Sequence, residues 1–290
     1  ATHLYAVGGM DGAGRYVARV EYAPIRPDGS LGPWRPTSAL EEPRFYLGAA
    51  VLDGWLYAVG GASGPRGAAN RPSAAVERAR IRPDGSLGPW ERAGWLRHPR
   101  RGLSLVARGR RLYAIGGYDG RFLRSVESAA LGPDGRLGPW EVVGEARQAR
   151  YIAAAALAGD RLYLLGGHRH DAFRLSEPSA ESLRLLPGGR LDGWRPLPAP
   201  PGPRFLAVAF ALGGRLYLAG GHDGDRRLAR VEEAPLAPGG GLGRWSAAWP
   251  LHHSRAAAAA AVSGDRVYVL GGAGPEGVLA SVEAARLEGR

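Results

Sequence analysis

The sequence predicts an all-β fold, a six-bladed β-propeller with four antiparallel strands per blade, and three observations lead to it. A Gly-Gly pair recurs six times, opening at Gly8, Gly60, Gly116, Gly166, Gly220 and Gly271. A tryptophan recurs in five of the repeats, at Trp34, Trp90, Trp140, Trp194 and Trp245. From each tryptophan to the next Gly-Gly pair the spacing never changes. Self-similarity at a period of about fifty residues is the mark of stacked repeats, so the 290 residues are expected to form a single propeller domain.

The elements of the repeat can be taken in order. Each Gly-Gly pair closes a short apolar run, LYAVGG, LYAVGG, LYAIGG, LYLLGG, LYLAGG and VYVLGG, with Tyr5, Tyr57, Tyr113, Tyr163, Tyr217 and Tyr268 at a fixed position. The β-branched and aromatic bias predicts a strand, and the glycines a tight exit from it. A second strand carries Glu21, Glu77, Glu127, Glu181, Glu232 and Glu283, usually behind a valine. The turns Pro27-Asp28-Gly29, Pro83-Asp84-Gly85 and Pro133-Asp134-Gly135, loosening to Pro187-Gly188-Gly189 and Pro238-Gly239-Gly240, supply the φ > 0 positions that a hairpin needs. The tryptophan lies thirteen residues after its glutamate, in a third strand. Ten residues further, Arg44, Arg100, Arg150, Arg204 and Arg255 open a fourth strand of small residues, and sixteen residues after each arginine the next Gly-Gly pair arrives.

This order of arginine, small-residue strand, Tyr-x-x-Gly-Gly, Val-Glu, turn and tryptophan resembles the Kelch repeat, in six copies across the whole chain. The resemblance implies radial blades with the arginine-led strand innermost, the Gly-Gly strand second, the Val-Glu strand third and the tryptophan strand at the rim. The alanine runs 153–156 and 256–261 fit the innermost position on separate grounds, because strands crowded round an axis leave room only for small side chains. The chain starts at the turn before a second strand and stops after a third. One rim strand and one inner strand are therefore expected to be missing, to be supplied by a precursor segment or a neighbouring subunit, since open strand edges invite pairing.

Composition excludes several chemistries. There is no cysteine, so disulfides, thiolate nucleophiles and cysteine-bound metals are ruled out, and there is no lysine, so no Schiff base can form. Asn70, Gln148 and Met10 are the only residues of their types, a depletion that goes with thermostability. A net charge of +11 with a pI near 10.6 favours polyanionic partners. No apolar run reaches membrane-spanning length. With Ala1 at the start and no signal-like stretch, the chain reads as a processed or trimmed protein, and an extracytoplasmic or secreted location is expected, with a cytoplasmic one left open.

All length variation falls between the Gly-Gly pair and the glutamate, with offsets of 13, 17, 11, 15, 12 and 12. Insertions confined to one class of loop mark one face of a repeat protein, often the binding face. In an up-and-down blade the arginines that open the inner strands point towards that same face. Arg44, Arg100, Arg150, Arg204 and Arg255 are therefore candidate ligands for an anion, with Phe45, Tyr46, Tyr151 and Phe205 as aromatic surface that suits a sugar ring. The two longest loops add Arg66 and Arg71, and His168, Arg169, His170 and Arg174. The alternative is that each arginine bonds carbonyls of a neighbouring blade and is architectural.

His168-Arg169-His170-Asp171 has metal-ligand residue types at no recognised spacing, so no metal and no cofactor are expected. Asp-Gly pairs at Asp11, Asp119 and Asp223 read as turns. The expected function is a non-enzymatic binding or assembly module presenting an arginine-rich face to a protein partner or an acidic glycan. Nucleic acid is not expected as a partner. The alternative is a carbohydrate-active enzyme, since the resemblance extends to sialic acid mutarotases and propeller-type polysaccharide lyases. For a lyase, Tyr46, Tyr151, His98 or His253 are the available bases. The copper-radical oxidases of the same fold need a cysteine that this chain lacks.

Overall fold

The structure is a computed structural model that describes residues 2–64, 70–169 and 178–287. It is all-β, a six-bladed propeller whose sheets are simple antiparallel meanders, most of them four-stranded. The chain divides into two compact units, Ala1–Glu145 and Ala146–Arg290.

The first unit holds three sheets. The first runs His3–Val7, Val20–Pro24 and Arg35–Thr37; the second Gly48–Leu52, Trp55–Val59, Ala75–Ile81 and Leu87–Trp95; the third Ser104–Arg108, Arg111–Ile115, Ser125–Ala130 and Glu141–Glu145. The second unit repeats the plan. Its first two sheets are Ala154–Ala158, Arg161–Leu165, Ala180–Arg184 and Arg195–Leu197, then Val208–Leu212, Arg215–Ala219, Val231–Pro235 and Ser246–Ala247. The last is Ala259–Ser263, Arg266–Leu270 and Val282–Arg286. Among the described residues, nothing pairs with the outer edge of His3–Val7 or of Val282–Arg286. Among the described residues, no helix is long and apolar enough to cross a membrane.

Local chemistry accounts for these elements. Asp53 and Gly54, at φ 53° and 74°, form the two-residue turn between Leu52 and Trp55, the conformation that matches strand twist in a tight hairpin. In the Pro-Asp-Gly turns the aspartate side chain closes the loop: Ser30 and Ser86 each donate a backbone N–H to Oδ1 of Asp28 and Asp84, at 2.8 and 3.0 Å. The strand bearing the repeated tyrosine is covered on both faces, and Tyr57, Tyr113, Tyr163, Tyr217 and Tyr268 are all buried.

Two repeated features join neighbouring blades within each unit. The first is the tryptophan, which packs against the preceding blade: Trp90 clusters with Val20 and Leu40, Trp140 with Val59, Val76 and Leu96, and Trp245 with Leu165 and Ala180. Trp90 Nε1 donates to the Ser38 carbonyl at 2.8 Å and Trp245 Nε1 to that of Pro198 at 2.9 Å, so the indole also ties down the chain that crosses between blades. The second is the Gly-Gly pair. Its second amide donates to the backbone carbonyl of the next blade's arginine, Gly9 to Arg44 and Gly61 to Arg100 at 2.8 Å, and Gly221 to Arg255 at 2.7 Å. A Cβ on Gly60, at φ 61°, would sit 2.6 Å from the Arg100 oxygen, so the glycine is required by both conformation and approach.

Candidate functional site

The five repeated arginines are buried, and their guanidinium groups face inward rather than towards a ligand. Arg44 Nη1 donates to the carbonyls of Gly60 and Ala75 at 3.0 and 3.1 Å while Nη2 meets Glu77 at 2.6 Å. Arg100 bonds Gly116 O at 2.8 Å and pairs with Glu127. Arg150 bonds Gly166 O at 2.8 Å and Glu181 at 3.1 Å. Arg204 bonds Gly220 O at 2.8 Å and Glu232 at 2.7 Å, and Arg255 bonds Gly271 O at 2.9 Å and Glu283 at 2.6 Å.

Each guanidinium thus spans its own blade, from the carbonyl of the first glycine to the glutamate one strand further out. The glutamate in turn accepts amides of the incoming connection: Glu77 from Glu41 at 3.1 Å, Glu127 from Arg97 at 2.7 Å, and Glu283 from His252 at 2.6 Å and His253 at 3.1 Å. Burial draws Arg44, Arg100, Arg150 and Arg204 below the usual guanidinium range, and the facing glutamates oppose that shift.

The expectation that Arg44, Arg100, Arg150, Arg204 and Arg255 present their charge to an anion is corrected by this geometry, because each guanidinium is buried out of contact with water and its charge is already met by a carboxylate. The architectural alternative also changes in detail. The side chain serves its own blade, and it is the backbone that reaches to the neighbour, through the carbonyl and, in Arg44, Arg100 and Arg255, the amide.

What does reach the variable face is the residue after each arginine. It forms a two-way backbone bridge with the residue after the Gly-Gly pair: Phe45 with Ala62, Arg101 with Tyr118, Tyr151 with His168, Phe205 with His222, and Ala256 with Ala273. In the first unit the Arg101 guanidinium lies 4.9 Å over the Tyr118 ring, which meets Phe122 edge-on at 5.5 Å. Tyr16 lies 5.6 Å from Phe45 and accepts a bond from Asn70 Nδ2 at 2.5 Å.

In the second unit the bridges place four rings in a row. Tyr151, His168, Phe205 and His222 follow one another at centroid separations of 6.5, 4.2 and 5.0 Å. Tyr151 and His168 are buried, while Phe205 and His222 are half-buried. His222 Nδ1 accepts the Gly224 amide at 3.0 Å, which fixes the ring proton on Nε2 and leaves that N–H as a donor. Asp223 accepts the amides of Asp225 and Arg226 at 3.0 and 2.9 Å, so this Asp-Gly pair is a turn.

Of the other expected site residues, Tyr46 is half-buried at a φ of 57°. Arg71 is exposed on the short ribbon formed by Ala62–Ser63 and Arg71–Pro72, and Arg169 donates to Gln148 Oε1 at 2.8 Å. Arg66, His170 and Arg174 lie outside the described residues, as do Asp171 and Phe173. Among the described residues, no group of three or more histidines and carboxylates could hold a metal ion. Phe205 and His222 stand at the two positions flanking the arginine and glycine landmarks. The repeat register alone could have paired them.

Residues 99–128 match the Kelch motif family model. No curated protein matches the chain by sequence. A solved structure entitled "Structure of YjhT" is similar over 97% of this chain and 90% of its own, with a TM-score of 0.73 and 16% sequence identity, a likeness of fold.

Proposed function

For a six-bladed propeller that carries the Kelch motif, we propose a non-enzymatic binding module that takes an acidic glycan or an acidic protein segment on the aromatic row of its second unit. The observation that carries this reading is the continuous run Tyr151, His168, Phe205 and His222, on the face where loop length varies. Buried Tyr151 and His168 hold the row in place, and the partly exposed rings of Phe205 and His222 suit a sugar ring or a flat side chain. The Nε2 donor of His222 adds direction. Negative charge on the ligand matches the chain's net charge of +11, and Arg169 adjoins His168 of the row in sequence.

The test is a titration of acidic glycans and acidic peptides against the protein and a Phe205→Ala, His222→Ala variant, with product analysis on the same samples. Binding that weakens at least tenfold in a folded variant, and that also weakens with salt, supports the reading. Unchanged affinity would dismiss the aromatic row, and chemical turnover of a glycan would replace the binding module with an enzyme.

A further inference from the structure

The second strand of the fourth blade, Arg161–Leu165, opens on an arginine that is only 6% exposed. Its Nη1 donates to Ser182 Oγ at 3.3 Å, and among the described residues no carboxylate meets it. Asp160, next to it in the chain, is engaged elsewhere: Nε and Nη2 of Arg184 both donate to its Oδ2, at 3.0 and 2.7 Å. Arg184 stands directly opposite Arg161 in the antiparallel pair, so two like charges face each other across the ladder and the exposed one holds the carboxylate. The later blades treat the same position differently. Arg215 meets Glu233 at 3.0 Å, and Arg266, 25% exposed, lies 4.0 Å from Asp265. Burial of a charge is offset only by pairing, so Arg161 is a cation built to be matched from outside the chain.

The groups around it are donors. The turn Pro238–Gly240 of the fifth blade lies against the guanidinium, and a side chain on Gly240, at φ 85°, would collide with Arg161 Nε. Tyr163, two residues on and on the same face of the sheet, reaches the Gly240 carbonyl at 3.4 Å, long for a hydroxyl. Burial raises the Tyr163 pKa, which keeps the phenol protonated and able to donate. Ser182 is opposite Tyr163 in register, which brings its hydroxyl beside both.

We propose that Arg161 is the seat of an anion site that takes the carboxylate of a small organic acid, with the guanidinium as charged partner and Ser182 Oγ and Tyr163 Oη as hydroxyl donors. One negative charge matches the one positive charge left over, and a planar carboxylate matches the guanidinium fork. The small exposure of Arg161 selects a small acid over a folded partner. His168 follows the far end of the same strand, so the site stands apart from the aromatic row and does not depend on it.

The test is a set of thermal melts of the whole chain at neutral pH, in sodium acetate and in sodium chloride of equal ionic strength, for the wild type and Arg161→Met. Acetate should raise the wild-type melting temperature over chloride by about 2 °C at ten times its dissociation constant, and leave Arg161→Met unmoved. In chloride Arg161→Met should melt no lower than the wild type, because it removes a buried charge that has no carboxylate. Calorimetric titration of acetate should show one site on the wild type and none on the variant. Equal melting of the wild type in the two salts, an acetate effect that survives Arg161→Met, or a phosphate effect as large as that of acetate would overturn the proposal. So would a variant that melts well below the wild type in chloride, because the guanidinium would then be a structural contact already satisfied within the chain.

Discussion

Replacing Arg44 separates the two roles that the sequence leaves open for the repeated arginines. In Arg44→Leu the guanidinium is lost from a site where both it and Glu77 are buried. The Glu77 carboxylate keeps the Glu41 amide at 3.1 Å and the distant Arg92 guanidinium at 3.9 Å; the Gly60 carbonyl loses the guanidinium donor, and the Ala75 carbonyl keeps only the Gly60 amide at 2.9 Å. Removing one partner of a buried ion pair costs about 3–5 kcal/mol, since the other charge stays behind without compensation. At an unfolding entropy of about 2.1 cal/mol/K per residue, a cooperative melt of the 290-residue chain shifts by about 1.6 °C per kcal/mol. The expected loss is therefore roughly 5–8 °C in Tm. Adding Glu77→Gln removes the stranded charge and should recover part of it. Differential scanning calorimetry of the wild type, both single variants and the double variant reads the coupling directly. If Arg44→Leu melts with the wild type while binding of an acidic ligand disappears, the clamp reasoning fails and the arginine is a ligand group. The same logic makes Arg150→Ala with Arg204→Ala strongly destabilising.

Other expectations follow from single sites. Tyr5 donates to the Gly85 carbonyl at 2.7 Å, and burial, with Tyr22 and Asp84 nearby, pushes its pKa up to about 12 from 10.0. Its contribution to stability is full below pH 10 and is lost as pH rises towards 12, so denaturant melts should decline across that window and Tyr5→Phe should flatten the decline. Burial raises the Glu283 pKa, but the amides of His252 and His253 and the Arg255 charge outweigh it and hold the carboxyl below its usual 4.5. Stability from this group is present above that value and falls away in acid, a slope that Glu283→Gln should remove from the pH dependence of Tm. Gly60→Ala meets a carbonyl oxygen at 2.6 Å with φ at 61°, so a loss above about 2 kcal/mol in chemical denaturation is expected; a neutral result would mean that the blades slide apart freely. The scarcity of Asn, Gln, Met and Cys predicts a melting temperature above the mesophilic range of about 45–65 °C, and a melt inside that range assigns the bias to base composition alone.

The fold was legible because each repeat states it again. Tyrosine, glycine pair, glutamate and tryptophan recur at spacings that only a strand meander of fixed length satisfies, and the sheets follow those spacings. The side-chain directions were less legible. Five arginines at one position can be read as a charged ring or as five clamps, and what decides between them is that Arg44 and Glu77, 33 residues apart, are brought to 2.6 Å by two intervening strands. Periodicity marks a residue as repeated and is silent on whether it faces water. Phe205 was legible as aromatic surface beside Arg204, but its partnership with His222 was not, since that comes only from the bridge between them.

The residue two after each arginine was invisible to composition, and it carries a testable strain. Tyr46, Ile152, Leu206 and Ala257 hold φ of 57°, 51°, 54° and 56°, and the third blade has Gly102 there at 60°. Backbone bonds between successive blades require this conformation, Gly102 donating to Tyr46 O at 2.9 Å, Leu206 to Ile152 O at 3.1 Å and Ala257 to Leu206 O at 2.9 Å. For a β-branched residue such as Ile152 the left-handed region is sterically poor, at a cost of about 1–2 kcal/mol. Ile152→Ala removes the side-chain packing and leaves a Cβ in that region, whereas Ile152→Gly removes the packing and the strain together. Glycine should therefore be the more stable of the two by about 1 kcal/mol, the reverse of their order in ordinary strand or helix positions. Urea denaturation of the paired variants measures the difference without reference to the packing they both lose. An alanine variant as stable as the glycine variant, or more so, would mean that the inner strands enter their blades by some other route than this left-handed step.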